Sequence, residues 1–516
     1  MSAHLDLLMF AALIAAILSG FPAAFSIAGV AVIFAYLGWV MGAMDIGLLG
    51  ALGQRVFGLL SNDVLIAIPL FVAMGAILER SRIAEHMLET MGRLFGGMRG
   101  GLGVSVVLVG ALLAASTGIV GATVVAMGMI ALPAMLRAGY DPRVSAGVVC
   151  TAGTLGQIIP PSTLLIILSD VMSNAWQQAQ YEQGKFAVEA LSVGQVFASA
   201  VLPGLMLVTL YLAYIAIRGR LRPADMPPIG EYTLRPDVAA ILHAILPPIV
   251  LILAVLGAIL GGVATPTEAA SVGAVGALMM AGIRLGRRRS VIVAGAAALV
   301  ALGVLAGLFP VRLQRGDLGA GEIALGWLYI GLAAVGAVGV VLALISAFRA
   351  RLLAEAVEAT ATMTAMIFAT IIAAGFFSLV FVGLGGEERV ASILAAMPGG
   401  PSGALLFSMA FVFVLGFFLD FVEIAVIVLP LIVPELILMG HDPVWLGVLI
   451  AINLQTSFLT PPFGFSLFYL RGAAPPEVTT AHIYAGVAPF IALQGLGAAF
   501  VWLAPALATW LPSVLF

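Results

Sequence analysis

The 516-residue sequence has little of what soluble enzymes use for catalysis. It contains one cysteine, which excludes an intrachain disulfide and a cysteine metal cluster. Its one lysine, Lys185, is followed by Phe186, which excludes a GxxxxGK[ST] phosphate loop, and its five histidines are scattered without an HExxH pattern. We therefore expect a protein that is not an enzyme, and no nucleic-acid partner is expected.

Apolar residues are what the sequence has in abundance. Hydrophobic residues make up 62% of the chain and charged residues 9%, with a mean hydropathy of +1.18. Apolar runs of about 20 residues, the length that crosses a bilayer as a helix, recur from end to end. These runs do not alternate apolar with polar residues, which excludes a membrane β-barrel. The sequence predicts an all-α polytopic membrane protein embedded in the lipid bilayer.

The sequence repeats itself at an offset of 301 residues. This offset aligns four prolines with four prolines and the motif GYDP with GHDP, and two homologous halves are the simplest explanation. The aligned pairs are Pro133 with Pro434, Pro142 with Pro443, Pro160 with Pro461, and Pro161 with Pro462.

Nearer the amino end, GFPAAFSIAG matches ATPTEAASVG at an offset of only 244 residues. The difference of 57 residues predicts an insertion in the second half, visible as two extra apolar runs at residues 291–309 and 325–348. We expect two additional spans there. The amino-terminal residues 5–39 are expected to form two spans around Pro22.

Arginine placement predicts the orientation of the halves. Residues 80–143 carry six arginines, whereas the equivalent residues 381–444 carry only Arg389. Because cytoplasmic loops are rich in arginine, the two halves are expected to be inverted relative to each other. A consistent threading has about 12 spans plus two re-entrant hairpins, with both termini outside.

Two apolar segments are predicted to be the re-entrant hairpins. Residues 104–136 are long enough to cross the membrane but have arginines close to both ends, so we expect the chain to turn back at Ser116, Thr117 and Gly118. The partner hairpin is expected to turn near residues 416–420. Non-helical backbone at this depth is tolerated only where protein buries it or a cavity wets it.

The paired prolines Pro160–Pro161 and Pro461–Pro462 are predicted to break two membrane helices. A proline removes an amide donor, which frees carbonyl groups one turn earlier. Such carbonyls, together with a hydroxyl group, suit a small hard cation such as Na⁺. A purely structural kink, with hydroxyls bonded to their own helix, is the alternative for a single copy, but two symmetric copies favour a site near the midplane of a secondary transporter.

Two acidic residues lie in an apolar run near the second hairpin turn. Intramembrane carboxylates usually mark function, but Asp420 could equally cap the second hairpin arm. A remote alternative is a membrane-embedded enzyme in which Asp420 and Glu423 form a catalytic pair. It is remote because no nucleophile or cofactor motif accompanies them. Glu268 in TPTEAA is expected to be a helix-start residue.

Four stretches resemble a known family: ASTGIVGATVVAMGMIALPAML, GTLGQIIPPS, ATPTEAASVGAVGAL and NLQTSFLTPPFGFSLFYLRG. They are similar to the large membrane (M) subunit of tripartite ATP-independent periplasmic (TRAP) transporters. The resemblance implies an elevator-type secondary transporter in the inner membrane of a Gram-negative bacterium. It also implies Na⁺-coupled import of a small organic acid, with a separate small four-span membrane subunit and a periplasmic substrate-binding protein as partners. A stand-alone Na⁺- or H⁺-coupled carboxylate symporter is the alternative.

The resemblance also implies ligands. Positions carried over for one sodium site are Ser116 and Thr117, with backbone near Gly156, Ile159 and Pro161. Those for the second are Gly416, Ser457, Thr460 and Phe463. Candidate substrate contacts are Ser162, Asp420 and Asn453. No cofactor beyond the coupling ion is implied.

The expected organisation follows the two repeats. Six segments are predicted: N-terminal scaffold spans at residues 1–62, hairpin 1 and its broken helix in a transport domain at 63–193, scaffold spans at 194–286, the insertion at 287–348, hairpin 2 and its broken helix at 349–471, and a C-terminal span at 472–516. The insertion is expected to extend the scaffold. The polar residues 169–194 are expected to form a long periplasmic loop, which either docks the binding protein or contacts nothing.

Overall fold

The structure, a computed structural model, describes residues 4–118, 120–229, 238–286, 288–311 and 319–516. Within these ranges, the side chains of residues 114, 116, 117, 238–241 and 243 lie outside the description. Every regular element in the described ranges is helical. A helix satisfies its own backbone polar groups, as the bilayer interior demands. The predicted all-α class is confirmed.

The described part of the first half contains ten helices. They are α1 (Leu5–Leu18), α2 (Ala23–Val40), α3 (Leu52–Leu60), α4 (Asp63–Arg80), α5 (Ile83–Phe95), α6 (Gly101–Thr117), α7 (Val120–Arg137), α8 (Pro142–Thr154), α9 (Thr163–Glu182) and α10 (Val193–Leu221). A 3₁₀ turn, Ile46–Ala51, leads into α3. Pro22 stands at the N-cap of α2, which packs against α1. Two helices therefore flank Pro22, but only α2 is long enough to count as a candidate span, and the two predicted spans stay a prediction.

The described part of the second half contains thirteen helices. They are α11 (Val238–Leu260), α12 (Pro266–Leu285), α13 (Arg289–Leu308), α14 (Ala320–Arg349), α15 (Leu352–Gly383), α16 (Gly386–Ala395), α17 (Gly400–Leu415), α18 (Phe421–Glu423), α19 (Leu429–Leu438), α20 (Pro443–Leu459), α21 (Phe465–Ala473), α22 (Thr480–Leu503) and α23 (Ala506–Leu515). A π-helical turn, Ile424–Val428, joins α18 to α19 in one continuous arm.

Nine described helices are long and apolar enough to cross a membrane, or ten if the bent pair Ile46–Leu60 and Asp63–Arg80 counts as one span. The expected total of about 12 crossings also counts shorter apolar helices and the two broken spans, and it stays a prediction. The nine include Val120–Arg137 and Phe421–Leu438, which are the second arms of the hairpins.

The inserted segment forms the predicted helix pair, α13 and α14. They pack on each other and on α12 at the periphery of the fold. Gly295 and Gly339 face each other so closely that a Cβ on Gly295 would lie 2.8 Å from the Cα of Gly339. Such glycine contacts let membrane helices approach closely.

The two halves repeat the same local structure. Each contains a hairpin (α6–α7 and α17–α19) followed by a broken helix (α8–α9 and α20–α21). Asp141 caps α8 by accepting from the Arg143 amide at 2.7 Å, and Asp442 caps α20 by accepting from the Trp445 amide at 2.8 Å. The repeat read from GYDP and GHDP is therefore a structural repeat.

The halves also exchange contacts symmetrically. Helix α9 of the first broken helix packs on α19 of the second hairpin, while α21 of the second broken helix packs on α7 of the first hairpin. Each hairpin thus contacts its own broken helix and that of the other half. The four elements form one packed unit at the centre of the fold.

One expectation was wrong. Residues 169–194 are not a long loop, because α9 continues to Glu182 and only residues 183–192 are irregular. The fall in hydropathy at Ser169 marks an amphipathic helix that buries Met172, Ala175 and Ala179. Glutamine and alanine favour helix, so polarity here does not indicate a loop. The predicted segment boundaries stay predictions, although those at 193/194, 348/349 and 471/472 fall inside α10, α14 and α21.

Candidate functional site

Both paired prolines interrupt helices where the sequence predicts. In the first half, α8 ends at Thr154, a 3₁₀ turn covers Leu155–Gln157, and α9 begins only after Pro160 and Pro161. In the second half, α20 ends at Leu459 and α21 begins at Phe465. Both proline pairs are joined by cis peptide bonds.

Serine hydroxyls compensate for the amides that the prolines remove. Pro161 and Pro462 have no N–H for the carbonyls four residues earlier, those of Gln157 and Phe458. Ser162 Oγ donates to the Gln157 carbonyl at 3.0 Å, and Ser466 Oγ donates to the Phe458 carbonyl at 2.7 Å. The two carbonyls are equivalent in the repeat, but the serines are not.

Ser162, one of the candidate substrate contacts, lies within the first break and bonds to its backbone. Ser162 is fully buried, and its hydroxyl hydrogen is used by the backbone of the break. A direct contact of Ser162 with substrate stays a prediction.

The second hairpin turn lies directly on the second break. A Cβ on Gly416 would collide with Ser457, lying 2.7 Å from its Cβ. One turn further, the rings of Phe418 and Phe463 are 5.6 Å apart. The structure therefore brings together the hairpin turn and the break that were expected to share the second sodium site.

Two hydroxyl groups at this break donate to carbonyls of their own helix and are left with lone pairs only. Ser457 Oγ donates to the Leu454 carbonyl at 2.8 Å, and Thr460 Oγ1 donates to the Thr456 carbonyl at 2.7 Å. Hydrogen bonds of this kind, from a hydroxyl to its own helix, are also what a purely structural kink would show. A hydroxyl that has given its one hydrogen to a carbonyl can act elsewhere only as an acceptor. Such an oxygen can coordinate a cation, but it cannot donate a hydrogen bond to a second acceptor.

The first hairpin turn lies against the first broken helix. Gly118 has φ +61°, and a Cβ there would lie 2.8 Å from the Thr163 amide nitrogen at the start of α9. The segment Leu155–Gln157, which includes Gly156, contacts both α6 and α7. Ile159 lies on the other side of the break against Gly204 of α10, where a Cβ would be 3.4 Å from Ile159 Cγ1.

For the remaining residues predicted at the first sodium site, the structure gives only the course of the backbone. Ser116 and Thr117 occupy the last turn of α6, and their side chains lie outside the described part of the structure. Pro161 follows the cis bond. The assignment of these residues to a sodium site stays a prediction.

Asp420 is a helix cap. Its Oδ1 accepts from the Phe421 amide at 2.7 Å. Asp420 and Glu423 also form a capping box, in which Glu423 Oε2 accepts from the Asp420 amide at 3.0 Å. Of the two readings that the sequence left open, the structure shows the cap. A substrate contact of Asp420 is a separate prediction that this geometry does not test.

Glu268 and Asn453 also have structural partners. Glu268 Oε2 accepts from the Thr265 amide at 2.8 Å, which confirms the predicted helix-start role. Asn453 Nδ2 donates to the Met409 carbonyl at 2.8 Å, tying α20 to the first arm of the second hairpin. Its contact with substrate stays a prediction.

The structure adds a polar contact that sequence reasoning missed. Gln455 Nε2 donates to Thr154 Oγ1 at 3.4 Å, and the two residues are 301 positions apart. They are therefore equivalent positions of the two repeats. The offset identifies them as a pair, but nothing in the sequence shows that this pair is in contact.

Cation binding at this centre would depend on backbone and hydroxyl oxygens. Within the described ranges, no three side chains of His, Cys, Asp or Glu converge on a possible metal site. The oxygens present at the breaks are the ligand type that hard cations prefer.

Comparison with known proteins yields a consistent set of relatives. The family described as "Tripartite ATP-independent periplasmic transporter, DctM component" matches residues 10–309 and 287–507. The chain is 26% identical over 522 residues to the C4-dicarboxylate TRAP transporter large permease protein DctM of Vibrio cholerae, covering 98% of this chain and 97% of that protein. It is 27% identical over 511 residues to the protein of the same description from Rhodobacter capsulatus, covering 99% of each.

A further relative and one solved structure extend the comparison. The ectoine TRAP transporter large permease protein TeaC of Halomonas elongata is 25% identical over 513 residues, covering 99% of each chain. The crystal structure of the YdaH transporter of Alcanivorax borkumensis superposes with a TM-score of 0.50 at 15% identity, covering 89% of each chain. At that identity the likeness concerns the fold alone.

Proposed function

The chain belongs to the DctM family of tripartite ATP-independent periplasmic transporters, and from this premise we propose that it is the large permease subunit of a Na⁺-coupled importer of an organic acid. Family membership makes it a multi-pass membrane transport protein and not an enzyme. The ion, the substrate and the partners are the proposed part.

The contact of Gly416 with Ser457 carries the proposal of Na⁺ coupling. It places a hairpin turn over a break where the Phe458 carbonyl has lost its amide partner to Pro462 and accepts from Ser466 instead. The hydroxyls of Ser457 and Thr460 have given their hydrogens to carbonyls and can act only as acceptors toward an ion. A sodium ion bound there would hold the hairpin to the broken helix. Because an intact hairpin contact is needed to enclose the site, bound sodium would favour the closed, substrate-loaded unit.

Helix ends support an anionic substrate. Helices α9 and α21 begin at Thr163 and Phe465, directly after the two breaks. The amino-terminal end of a helix carries partial positive charge, and in transporters such half-helix ends face anionic substrate groups. Two relatives are named for C4-dicarboxylates, which supports a carboxylate as the group recognised.

The partners follow from the same premise. We propose a separate small four-span membrane subunit and a periplasmic substrate-binding protein, in the inner membrane of a Gram-negative bacterium. One relative named permease protein DctMQ is longer, with the alignment covering 86% of this chain but 57% of that protein. Its name and added length support a second membrane component.

The central unit of hairpins and broken helices is proposed to move as an elevator. Exchange of contacts between the halves, α9 with α19 and α7 with α21, supports motion as one body. The surrounding helices, including the inserted pair α13 and α14, would form the scaffold. The predicted segments at residues 63–193 and 349–471 are wider than this unit, because they also include α4, α5, α15 and α16.

Reconstitution of transport tests the proposal. The chain, its small subunit and its binding protein are placed in proteoliposomes, and uptake of radiolabelled C4-dicarboxylates is measured under an inward Na⁺ gradient. Uptake should require all three proteins and stop when K⁺ replaces Na⁺. Uptake by this chain alone would favour the stand-alone symporter, and uptake driven by an inward H⁺ gradient in Na⁺-free buffer would contradict sodium coupling.

A further inference from the structure

Three buried polar side chains lie where the two broken helices meet. Thr154, Gln157 and Gln455 are each fully buried. Gln455 Nε2 donates to Thr154 Oγ1 at 3.4 Å, and Thr154 Oγ1 donates in turn to the Thr151 carbonyl at 2.9 Å. Thr154 and Gln455 occupy equivalent positions of the two repeats. Their contact therefore joins the first half of the chain to the second at matching positions.

The amides in this cluster have unused hydrogen-bonding capacity. Gln455 Oε1 and both Nε2 and Oε1 of Gln157 have no hydrogen-bond partner among the described residues. Gln157 lies one helical turn beyond Thr154, in the segment Leu155–Gln157, which contacts α20. Buried amide groups in proteins are nearly always satisfied by protein or by ordered water.

The cluster adjoins both proposed ion sites in the sequence. Gln157 directly follows Gly156, whose backbone belongs to the first site, and Gln455 precedes Ser457 of the second site by two residues. Thr154 and Gln455 connect α8 directly to α20. A change in backbone conformation at one break can therefore reach the other break through this hydrogen bond.

We propose that Thr154, Gln157 and Gln455 form a buried water-binding site that joins the two broken helices and makes the two sodium sites bind cooperatively. This inference rests on the proposed sodium coupling. A water bound between the Gln157 and Gln455 side chains would donate to the two amide oxygens and accept from Gln157 Nε2, so that each of the three atoms would gain a partner. Sodium at either site orders its break, and the hydrogen-bonded bridge passes that order to the other site.

The test is the Na⁺ dependence of initial uptake by the complete three-protein complex. Gln455→Met and Gln157→Met keep an unbranched side chain of similar length but remove its hydrogen bonds. We expect wild-type uptake to rise sigmoidally with a Hill coefficient of about 2, and both variants to fall towards about 1 with half-saturating Na⁺ raised at least about threefold. Maximal uptake should return at high Na⁺.

A matched control is available elsewhere in the fold. Gln494 on α22 is also fully buried, but its side chain lies beside the Tyr211 hydroxyl and not between the breaks. Gln494→Met should keep the sigmoidal response. Thr154→Val serves as a second disruption of the bridge, should a methionine variant fail to fold, with the same expected loss of cooperativity.

The outcomes separate the two proposals. Sodium-dependent uptake with an unchanged Hill coefficient in the Gln455, Gln157 and Thr154 variants would overturn the bridge alone. A hyperbolic wild-type response would overturn it as well. Sodium-independent wild-type uptake would refute the proposed function itself, and the bridge with it.

Discussion

Gly416 in the second hairpin turn lies so close to Ser457 on the broken helix that a methyl group at position 416 would be 2.7 Å from the Ser457 Cβ. The first half has a comparable contact between Gly118 and Thr163, where an added Cβ would lie 2.8 Å from the Thr163 amide nitrogen. In both halves a glycine lets the hairpin turn touch the broken helix. These contacts are the part of the proposed sites most sensitive to added volume.

Gly416→Ala should weaken sodium binding. The added methyl pushes the hairpin turn away from Ser457, and overpacking of this kind costs about 1–3 kcal/mol. Since about 1.4 kcal/mol is a tenfold change in affinity, we expect half-saturating Na⁺ for uptake to rise about tenfold or more. Gly472→Ala on α21 adds the same methyl into open space and should leave uptake unchanged. Equal responses of the two variants would contradict a special role for position 416.

Thr460→Ala should raise half-saturating Na⁺ without lowering maximal uptake at high Na⁺. The substitution removes one hydroxyl oxygen that we propose as an ion ligand, while Thr456→Ala removes a hydroxyl that likewise donates to a carbonyl one turn earlier in its own helix. Loss of one ligand of a hard cation is expected to cost about tenfold in affinity. If Thr456→Ala has the same effect, the hydroxyl of Thr460 acts on the helix and not on the ion.

The repeat made the central elements predictable, because proline and aspartate mark backbone geometry directly. Asp141 and Asp442 could be paired from the sequence, and both cap their helices. The contact between Thr154 and Gln455 could not be predicted, since an offset shows which residues are equivalent but not which of them lie on the symmetry axis. Hydrophobic periodicity does not help here, because side chains that face lipid are as apolar as those buried in protein.

Asp420→Asn should keep most of the uptake activity. Asparagine caps a helix as well as aspartate, whereas Asp420→Ala loses the cap at a cost of about 1 kcal/mol. We therefore expect near wild-type uptake for the asparagine variant and a thermally less stable, less active alanine variant. Inactivity of Asp420→Asn at wild-type thermal stability would show that the negative charge itself serves ion or substrate binding.

The ion pair between Asp6 of α1 and Arg389 of α16 should contribute to stability. Asp6 is 1% exposed and its Oδ2 pairs with the Arg389 guanidinium. Removing the partner of a buried carboxylate leaves an uncompensated charge, which costs about 3–5 kcal/mol in a fully buried pair and less here, because the Arg389 side chain is 32% exposed. Arg389→Gln should lower the unfolding temperature of the purified complex clearly, and adding Asp6→Asn should restore much of it. Additive losses in the double variant would indicate that the two residues act independently.

Thiol labelling tests the threading through the membrane. Cys150, the single native cysteine, is fully buried, so the unmodified chain should react little with a maleimide. Phe186 is fully exposed in the irregular segment between α9 and α10, and Ser290 is exposed in the first turn of α13. Arginine placement predicts that these positions lie on opposite sides of the membrane. In right-side-out spheroplasts, a membrane-impermeant maleimide should label Phe186→Cys at once and Ser290→Cys only after permeabilisation. The reverse pattern would invert the threading, and it would move the segment that contains Phe186 to the face that a periplasmic binding protein cannot reach.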